Sequence, residues 1–401
     1  MDILLFGGSF DPVHHGHYAI LETALEYRKF DKVIVMPVGS PGHKPSCKAP
    51  FEVRKHLAET AFSKLGADVE VSDFEGRSFE KSYSYITVDH LKAKYPGADI
   101  WFVIGTDSAV NMHTWKNWQY LAANVRFLVF ARDYDDEDEI AAAVEKIRVF
   151  SPGTAVLKSR VVPISSTQLR NMIAAGEDFS QWVDPDVERL IKENGLYSDD
   201  YYTRNTGTAR MLVPLMLRKK RAQHTFNVEK LAVKMAEKYG VDVEKAGLCA
   251  LLHDIMKQAD EDIMLHRAMQ SDIIERIKDK PVPVLHGFAA ADYAKREMGI
   301  EDSDTLMAIK SHTCGRRGMS DLEKVIYLAD MLSEERSYPE KDGLLQLVWE
   351  KGLDAAMEQA LKDSINWLRE KKGEIDRDSV EALEYFVNLN HHGGKQNGEK
   401  P

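Results

Sequence analysis

Three stretches of this 401-residue chain hold side chains that are costly to place without a chemical use. The first is GGSFDPVHHGH, residues 7–17, where an apolar run gives way to two glycines, a proline and three histidines. Glycine lets backbone approach a ligand closely, and Pro12 fixes the turn into the helix that follows. His14 and His17 sit three apart, so both face one direction as that helix begins. Free N–H groups at a helix start attract phosphate, and imidazoles there add donors aimed at the same anion. The second stretch is VVPISSTQLRNMIAAG, residues 161–176. Ser165, Ser166 and Thr167 precede a helix, and Arg170 falls in its first turn, where a cation opposes the macrodipole. An incoming polyphosphate supplies a reason for it. The third is the His253-Asp254 pair inside apolar ALLHDIMKQ, where a buried charge needs a partner. His224, His286, His312 and Asp330 occupy similar, mainly apolar helical contexts. Together they form a nitrogen and oxygen ligand set suited to iron, manganese or zinc. Each stretch also has a plainer reading: a glycine-rich turn with solvated histidines, a serine helix cap, or histidines satisfied within a core.

These residues need elements to hold them. Residues 1–198 alternate strand-like runs (ILLFG, KVIVMPV, DVEVSDF, IWFVIG, VRFLVFAR) with amphipathic stretches such as HYAILETALEY. That alternation predicts an α/β, Rossmann-like domain: a parallel sheet with helices on both faces. Ligands of such sheets sit beyond the carboxyl ends of the strands, where GGSFDPVHHGH and GTDSAVNMHTW fall. Residues 207–388 carry helical patterns throughout and predict a second, all-α domain. Between them a polar linker is expected at 199–206, and residues 389–401 read as a flexible tail. No internal repeat is visible.

A net charge of −11 disfavours a nucleic-acid partner, which would call for a basic face. It leaves room for small anions held by helix N-termini, local Lys and Arg, or bound metal. No apolar run approaches the roughly 20 residues of a membrane span. Three widely spaced cysteines and the lack of a secretory signal pattern fit a cytoplasmic protein.

In this order GSFDPVHHGH and ISSTQLR resemble the two signature motifs of the nucleotidyltransferase superfamily. Over residues 1–198 the chain resembles the nicotinate-nucleotide adenylyltransferase family in particular. MPVGSPGHKP is similar to that family's segment ending in His-Lys, here His43 and Lys44. VIGTDSAVNMHTW is similar to its Gly-x-Asp segment followed by Trp, here Gly105, Asp107 and Trp115, and the ending VERLIKENGLY also matches. The resemblance implies attack by a mononucleotide phosphate on the α-phosphorus of ATP, with pyrophosphate leaving and magnesium arriving with ATP. It puts Gly8, Ser9 and Phe10 against ATP, and His14 and His17 on its phosphates as catalytic donors. Ser165, Ser166, Thr167 and catalytic Arg170 fall to the β and γ groups. It assigns Lys44, Thr87, Asp107 and Trp115 to the nicotinate mononucleotide acceptor, with Asp107 on a ribose hydroxyl or in the metal environment, and leaves His15 at a variable position. One segment departs from the pattern: SYSYITVDHL aligns Thr87, Asp89 and Leu91 but has Ile86 where a tyrosine is usual. The choice between the acid and the amide form of the pyridine ring therefore stays open.

The order His, His-Asp, His, His, Asp resembles the HD superfamily of metal-dependent phosphohydrolases. LLHDIMK, LHGFAAADYA, SHTCGRRGMSDLEKVIYLAD and ERSYP are similar to its family of symmetrical dinucleoside-tetraphosphate hydrolases. The resemblance implies two metal ions, iron or alternatively manganese or zinc, on His224, His253, Asp254, His286, His312 and Asp330. It puts Lys257, as a catalytic and phosphate-binding group, and Arg316 on the remaining phosphates. It also implies hydrolysis of diadenosine tetraphosphate or a related dinucleotide, with attack at a β-phosphorus giving two ADP. A regulatory nucleotide sensor, or a hydrolase of another nucleotide, remains the alternative for this half, and a homo-oligomer is open.

Overall fold

The computed structural model describes residues 1–39, 47–77, 82–131, 137–158, 162–270 and 280–392. The chain divides into two compact units, residues 1–199 and 200–401. Among the described residues no helix is long and apolar enough to cross a membrane.

Among its described residues the first unit is built on six parallel strands: β1 Asp2–Gly8, β2 Lys32–Pro37, β3 Val69–Val71, β4 Asp99–Gly105, β5 Arg126–Ala131 and β6 Ala155–Lys158. Their order in the sheet is β3-β2-β1-β4-β5-β6. Strands β1, β2, β4 and β5 are near-continuous apolar runs because helices cover both sheet faces. β6 is a sixth strand that the sequence pattern does not announce; its four residues are half-buried or exposed at the sheet edge. β1 pairs with both β2 and β4, so the connections reverse direction between β1 and β4. That reversal opens a crevice beyond the carboxyl ends of the two strands, the usual ligand position in open α/β sheets. The register pairs Phe6 with Val103, which brings the Gly8 and Gly105 ends to similar heights.

Among its described residues the second unit is all helical, and two expectations need correction there. The polar stretch 199–206 is largely helix: Tyr201–Met216 begins at once, capped by the Asp200 carboxylate accepting from the Thr203 N–H. Its polar residues mislead because several lie on the buried face. Asn205 and Thr208 are buried, and the Asn205 amide donates to the Tyr201 carbonyl one turn back. At the other end the helix Arg377–His392 takes in residues 389–392 of the expected tail. Asn390 holds that end by donating to the Glu358 carboxylate and the Asp354 carbonyl.

Candidate functional site

In the first unit the turn after β1 is shaped by Phe10. Its backbone lies in the left-handed region (φ 48°), and its ring is fully buried against Phe6, Phe62 and His17. A Cβ on Gly8 would lie 2.9 Å from that ring, so only glycine fits there. Phe10 thus serves the loop from inside the core, buried whole rather than turned toward a ligand. Three carbonyls around the same turn, those of Ser9, Val38 and Ala49, accept from the buried Arg54 guanidinium at 2.7, 2.8 and 3.0 Å.

His14 caps the helix His15–Tyr27. Its Nδ1 accepts from the Gly16 N–H at 3.1 Å, and its own backbone N–H donates to His17 Nδ1 at 3.2 Å. Both Nδ1 atoms are therefore acceptors, which puts the ring proton of each neutral imidazole on Nε2. Burial, and next the charge of His15, push the His14 imidazole down to about 4, so it is neutral at physiological pH. The pair presents two N–H donors with ring centres 3.9 Å apart. His15 turns aside to the Gln181 carbonyl.

The second motif locks onto this turn. Ser165 caps the helix Ser166–Ala174 in a reciprocal arrangement with Gln168, so the plain cap reading holds for it. The Ser166 hydroxyl donates to the Pro12 carbonyl at 3.0 Å. Arg170 donates to the Asp11 carbonyl at 2.6 Å, lies 3.7 Å from the Asp11 carboxylate and reaches Thr167 Oγ1. Asp11 is buried and accepts further from the Lys48 and Ala49 amides and the Tyr197 hydroxyl. At the end of β4, Asp107 is exposed in the first turn of Thr106–Val110, and Trp115 packs half-buried against Phe102. Thr87 corrects an expectation: it is buried, and its hydroxyl donates to Glu75 at 2.6 Å rather than facing a ligand. The departing segment is a helix, Ser84–Lys94, with Tyr83 and Tyr85 stacked at its start. Lys44 lies outside the described residues.

In the second unit all six expected ligands meet. His253, His286 and His312 each place Nδ1 against the carbonyl three residues earlier, at 2.6, 2.8 and 2.7 Å. A carbonyl only accepts, so each Nδ1 carries the proton and each Nε2 offers a lone pair. His224 Nδ1 is engaged by Glu335. The Nε2 atoms converge on two carboxylates. His224 Nε2 lies 2.9 Å from Asp330, and His286 and His312 Nε2 lie 3.0 and 3.6 Å from Asp254. His253 Nε2 lies between them, 3.5 Å from Asp254 and 4.0 Å from Asp330. The His286 and His312 Nε2 atoms are only 3.1 Å apart, and that of His253 is buried without a hydrogen-bond partner among the described residues. Imidazole nitrogens and carboxylates gathered this closely, with each Nδ1 tied elsewhere, are the donor set that a cation site requires. Burial would raise the Asp330 carboxyl, but His224 and then the Arg336 charge outweigh it and hold it well below the usual range. The residues fit metal.

Lys257 stands at the rim, Nζ 3.2 Å from the His286 ring nitrogens. Arg316 corrects another expectation. Its guanidinium closes on buried Glu323 with two bonds of 2.7 and 2.6 Å, and Glu323 also accepts from Ser311 beside His312. It braces the His312 turn instead of facing a substrate.

Residues 5–172 match the cytidylyltransferase-like family model, and residues 221–335 match the HD domain model. A probable nicotinate-nucleotide adenylyltransferase of Clostridium tetani is 32% identical over 195 residues, covering 48% of this chain and 97% of its own length. The chain belongs to the nicotinate-nucleotide adenylyltransferase family. A Mycoplasma pneumoniae protein named probable nicotinate-nucleotide adenylyltransferase/Ap4A hydrolase is 27% identical across both units, over 90% of this chain and 95% of its own. The crystal structure of an HD superfamily hydrolase involved in NAD metabolism from Clostridium acetobutylicum is 31% identical. It covers 45% of this chain and 95% of its own, at a TM-score of 0.42.

For this adenylyltransferase family member, several residues that hold the sites carry weak sequence signals. Asp11, Arg54 and Tyr197 are far apart in the chain and meet only in the fold. Arg221 and Arg336 flank the metal-candidate carboxylates. Their spacing held a clue, since Arg221 lies one helical turn before His224 and Arg336 follows shortly after Asp330.

Proposed function

We propose that the chain is a two-reaction enzyme, and that its first unit transfers the adenylyl group of ATP to nicotinate mononucleotide. The acceptor phosphate oxygen bonds to the α-phosphorus while the bond to the bridging oxygen breaks, giving nicotinate adenine dinucleotide and pyrophosphate. Such a reaction needs positioning and charge stabilisation rather than a protein nucleophile. The His14 and His17 Nε2–H groups supply preorganised donors for the ATP phosphates. Arg170, held against Asp11, adds positive charge for the departing pyrophosphate. Lys44 takes the acceptor phosphate, and Asp107 and Trp115 the acceptor's sugar and ring. The observation carrying this reading is the backbone-fixed pair of histidine donors at the β1/β4 crevice, and the family supports the substrates. Purified protein given ATP and nicotinate mononucleotide should release pyrophosphate and the dinucleotide. Equal or faster turnover of the amide mononucleotide would overturn the acceptor choice.

For the second unit we infer metal-dependent hydrolysis of diadenosine tetraphosphate to two ADP. His224, His253, Asp254, His286, His312 and Asp330 would hold two ions of iron, manganese or zinc. Bound there, such ions make a water acidic enough to attack and neutralise charge on the phosphorus under attack. The chain's own part is to keep every histidine in its Nδ1–H tautomer through carbonyl and Glu335 partners, and to bring the Lys257 ammonium to the rim. The observation that carries this reading is the set of buried imidazole lone pairs around Asp254 and Asp330; the double name of the Mycoplasma relatives supports the substrate. Product analysis tests it. ADP alone supports symmetrical cleavage, ATP plus AMP moves the point of attack, and no turnover by the metal-loaded protein points to a sensor.

A further inference from the structure

The phosphate groups of a dinucleotide need cationic side chains, and Arg316 is closed on Glu323. Two other arginines lie against the ligand set itself. Arg221 Nη1 donates to Asp254 Oδ2 at 2.8 Å, and Arg336 Nη2 donates to Asp330 Oδ1 at 2.5 Å. Their side chains stay 31% and 39% exposed, as Arg316 does at 37%, and what sets them apart is that the carboxylates they touch are candidate metal ligands. Among the described residues Arg336 Nε is buried without a hydrogen-bond partner, a donor with no acceptor there.

Charge points the same way. Asp254, Asp330 and Glu335 are matched by Arg221, Arg336 and Lys257, so this set is balanced before any ion enters. Divalent ions on the histidines and carboxylates leave a positive excess beside two guanidiniums, and like charges at short range repel unless an anion lies between them. A chain of four phosphates carries on the order of four negative charges and accepts the bidentate bonds that guanidinium makes best. A single phosphodiester, with about one charge, would leave most of the excess standing.

We propose that Arg221 and Arg336 are the polyphosphate-binding residues of the second unit. They grip the phosphates beyond the one attacked, so that the site selects a phosphate chain over a lone phosphodiester. This rests on the hydrolase reading above and adds its basis of selection.

Full-length Arg221→Gln and Arg336→Gln proteins, loaded with manganese, test it by three readouts. These are bound metal by elemental analysis, affinity for inorganic tripolyphosphate by calorimetry, and turnover of bis(p-nitrophenyl) phosphate. Metal content should match the parent, tripolyphosphate affinity should fall about tenfold or more for each variant, and turnover of the lone diester should change less than about threefold. Arg316→Gln should lose thermal stability and keep its tripolyphosphate affinity. Loss of metal from either variant at Arg221 or Arg336 would make that arginine a positioning residue for its carboxylate, and so would an equal loss on both phosphate probes. Either result would overturn the proposal. If a glutamine variant does not fold, the lysine variant retains the charge and must still lose affinity through the missing planar fork; unchanged affinity there also overturns it. A parent protein that binds metal and tripolyphosphate but leaves diadenosine tetraphosphate intact would sink the hydrolase reading while leaving these two residues as the phosphate site.

Discussion

The backbone N–H of His14 donates to His17 Nδ1 at 3.2 Å, and the His14 ring accepts from Gly16 through the same kind of atom. Two imidazoles are thereby held in one tautomer by main-chain groups, which cannot rotate away when substrate enters. On the proposed reading His17→Ala removes a donor for the phosphates, and it leaves the His14 amide without its ring partner. The expected result is a loss of about 10²–10³-fold in kcat for adenylyl transfer, the scale for one preorganised donor. Steady-state kinetics check it. A rise in KM at constant kcat would mean that the ring binds substrate and transition state alike.

The position of His14 also has a consequence for stability against pH. Folding lowers its pKa from 6.5 to about 4, chiefly by burial. Below pH 6.5 the unfolded chain therefore binds a proton that the folded chain refuses. The stability conferred by the neutral ring is complete above pH 6.5 and drains away as pH falls toward about 4. Thermal melting of the parent and of His14→Gln should run parallel above neutrality. Between pH 6.5 and 4 the parent should fall more steeply. Parallel curves across that window would remove His14 as the cause.

Among the described residues Arg54 holds three carbonyls and no carboxylate at hydrogen-bond distance, so its value lies in satisfying buried acceptors. Arg54→Met fills much of the same volume and strands all three. At about 1–3 kcal/mol for a stranded buried group, the total loss should be about 3 kcal/mol or more. Because two of the carbonyls belong to the turns at the ends of β1 and β2, the KM for ATP should rise as well. Chemical denaturation and ATP titration check the two effects separately.

How far the sequence led depends on the range of each interaction. The parallel sheet and the helical second unit were legible because strand and helix periods are local. So were the glycine- and histidine-bearing turn, the serine-capped motif and the six metal-candidate residues, whose types are costly in apolar surroundings. Asp11 shows what was not legible. Its partners Lys48, Arg170 and Tyr197 come from across the first unit, and nothing in GSFDP distinguishes it from an ordinary turn aspartate. Thr87 and Arg316 are placed on ligands by the family resemblances, whereas each is spent on a glutamate, Glu75 or Glu323, that the sequence gives no reason to bury. The helix starting at Tyr201 was hidden because Asn205 and Thr208 are polar yet face inward.

Metal should tie the second unit's stability to ion concentration. The buried His253 Nε2, without a hydrogen-bond partner among the described residues, costs free energy until a ligand uses it. An ion at 100 times its dissociation constant adds about 2.7 kcal/mol. Manganese should raise a calorimetric transition of the full-length protein and a chelator should lower it. Asp254→Asn should abolish that response while adenylyl transfer by the first unit continues at the parental rate. A transition indifferent to metal in the parent would count against the site.

Gly287 offers a gentler way to disturb the same cluster. It sits in the helix Leu285–Met298 next to His286, and a Cβ there would lie 2.9 Å from the Lys310 carbonyl and 3.3 Å from the His312 ring. The carbonyl belongs to the helix Ser303–Ser311 and cannot swing aside as a flexible side chain would. Gly287→Ala must therefore push the two helices apart at the point where His286 and His312 nitrogens stand 3.1 Å from each other. Overpacking of this kind costs about 1–3 kcal/mol. Metal affinity should fall with it, because both imidazoles are displaced together, while the adenylyl-transfer rate stays at the parental value. Elemental analysis after dialysis against limiting metal reads the first effect and pyrophosphate release the second. Unchanged metal content at lowered stability would show that the cluster absorbs the shift and that the two histidines need not stay so close.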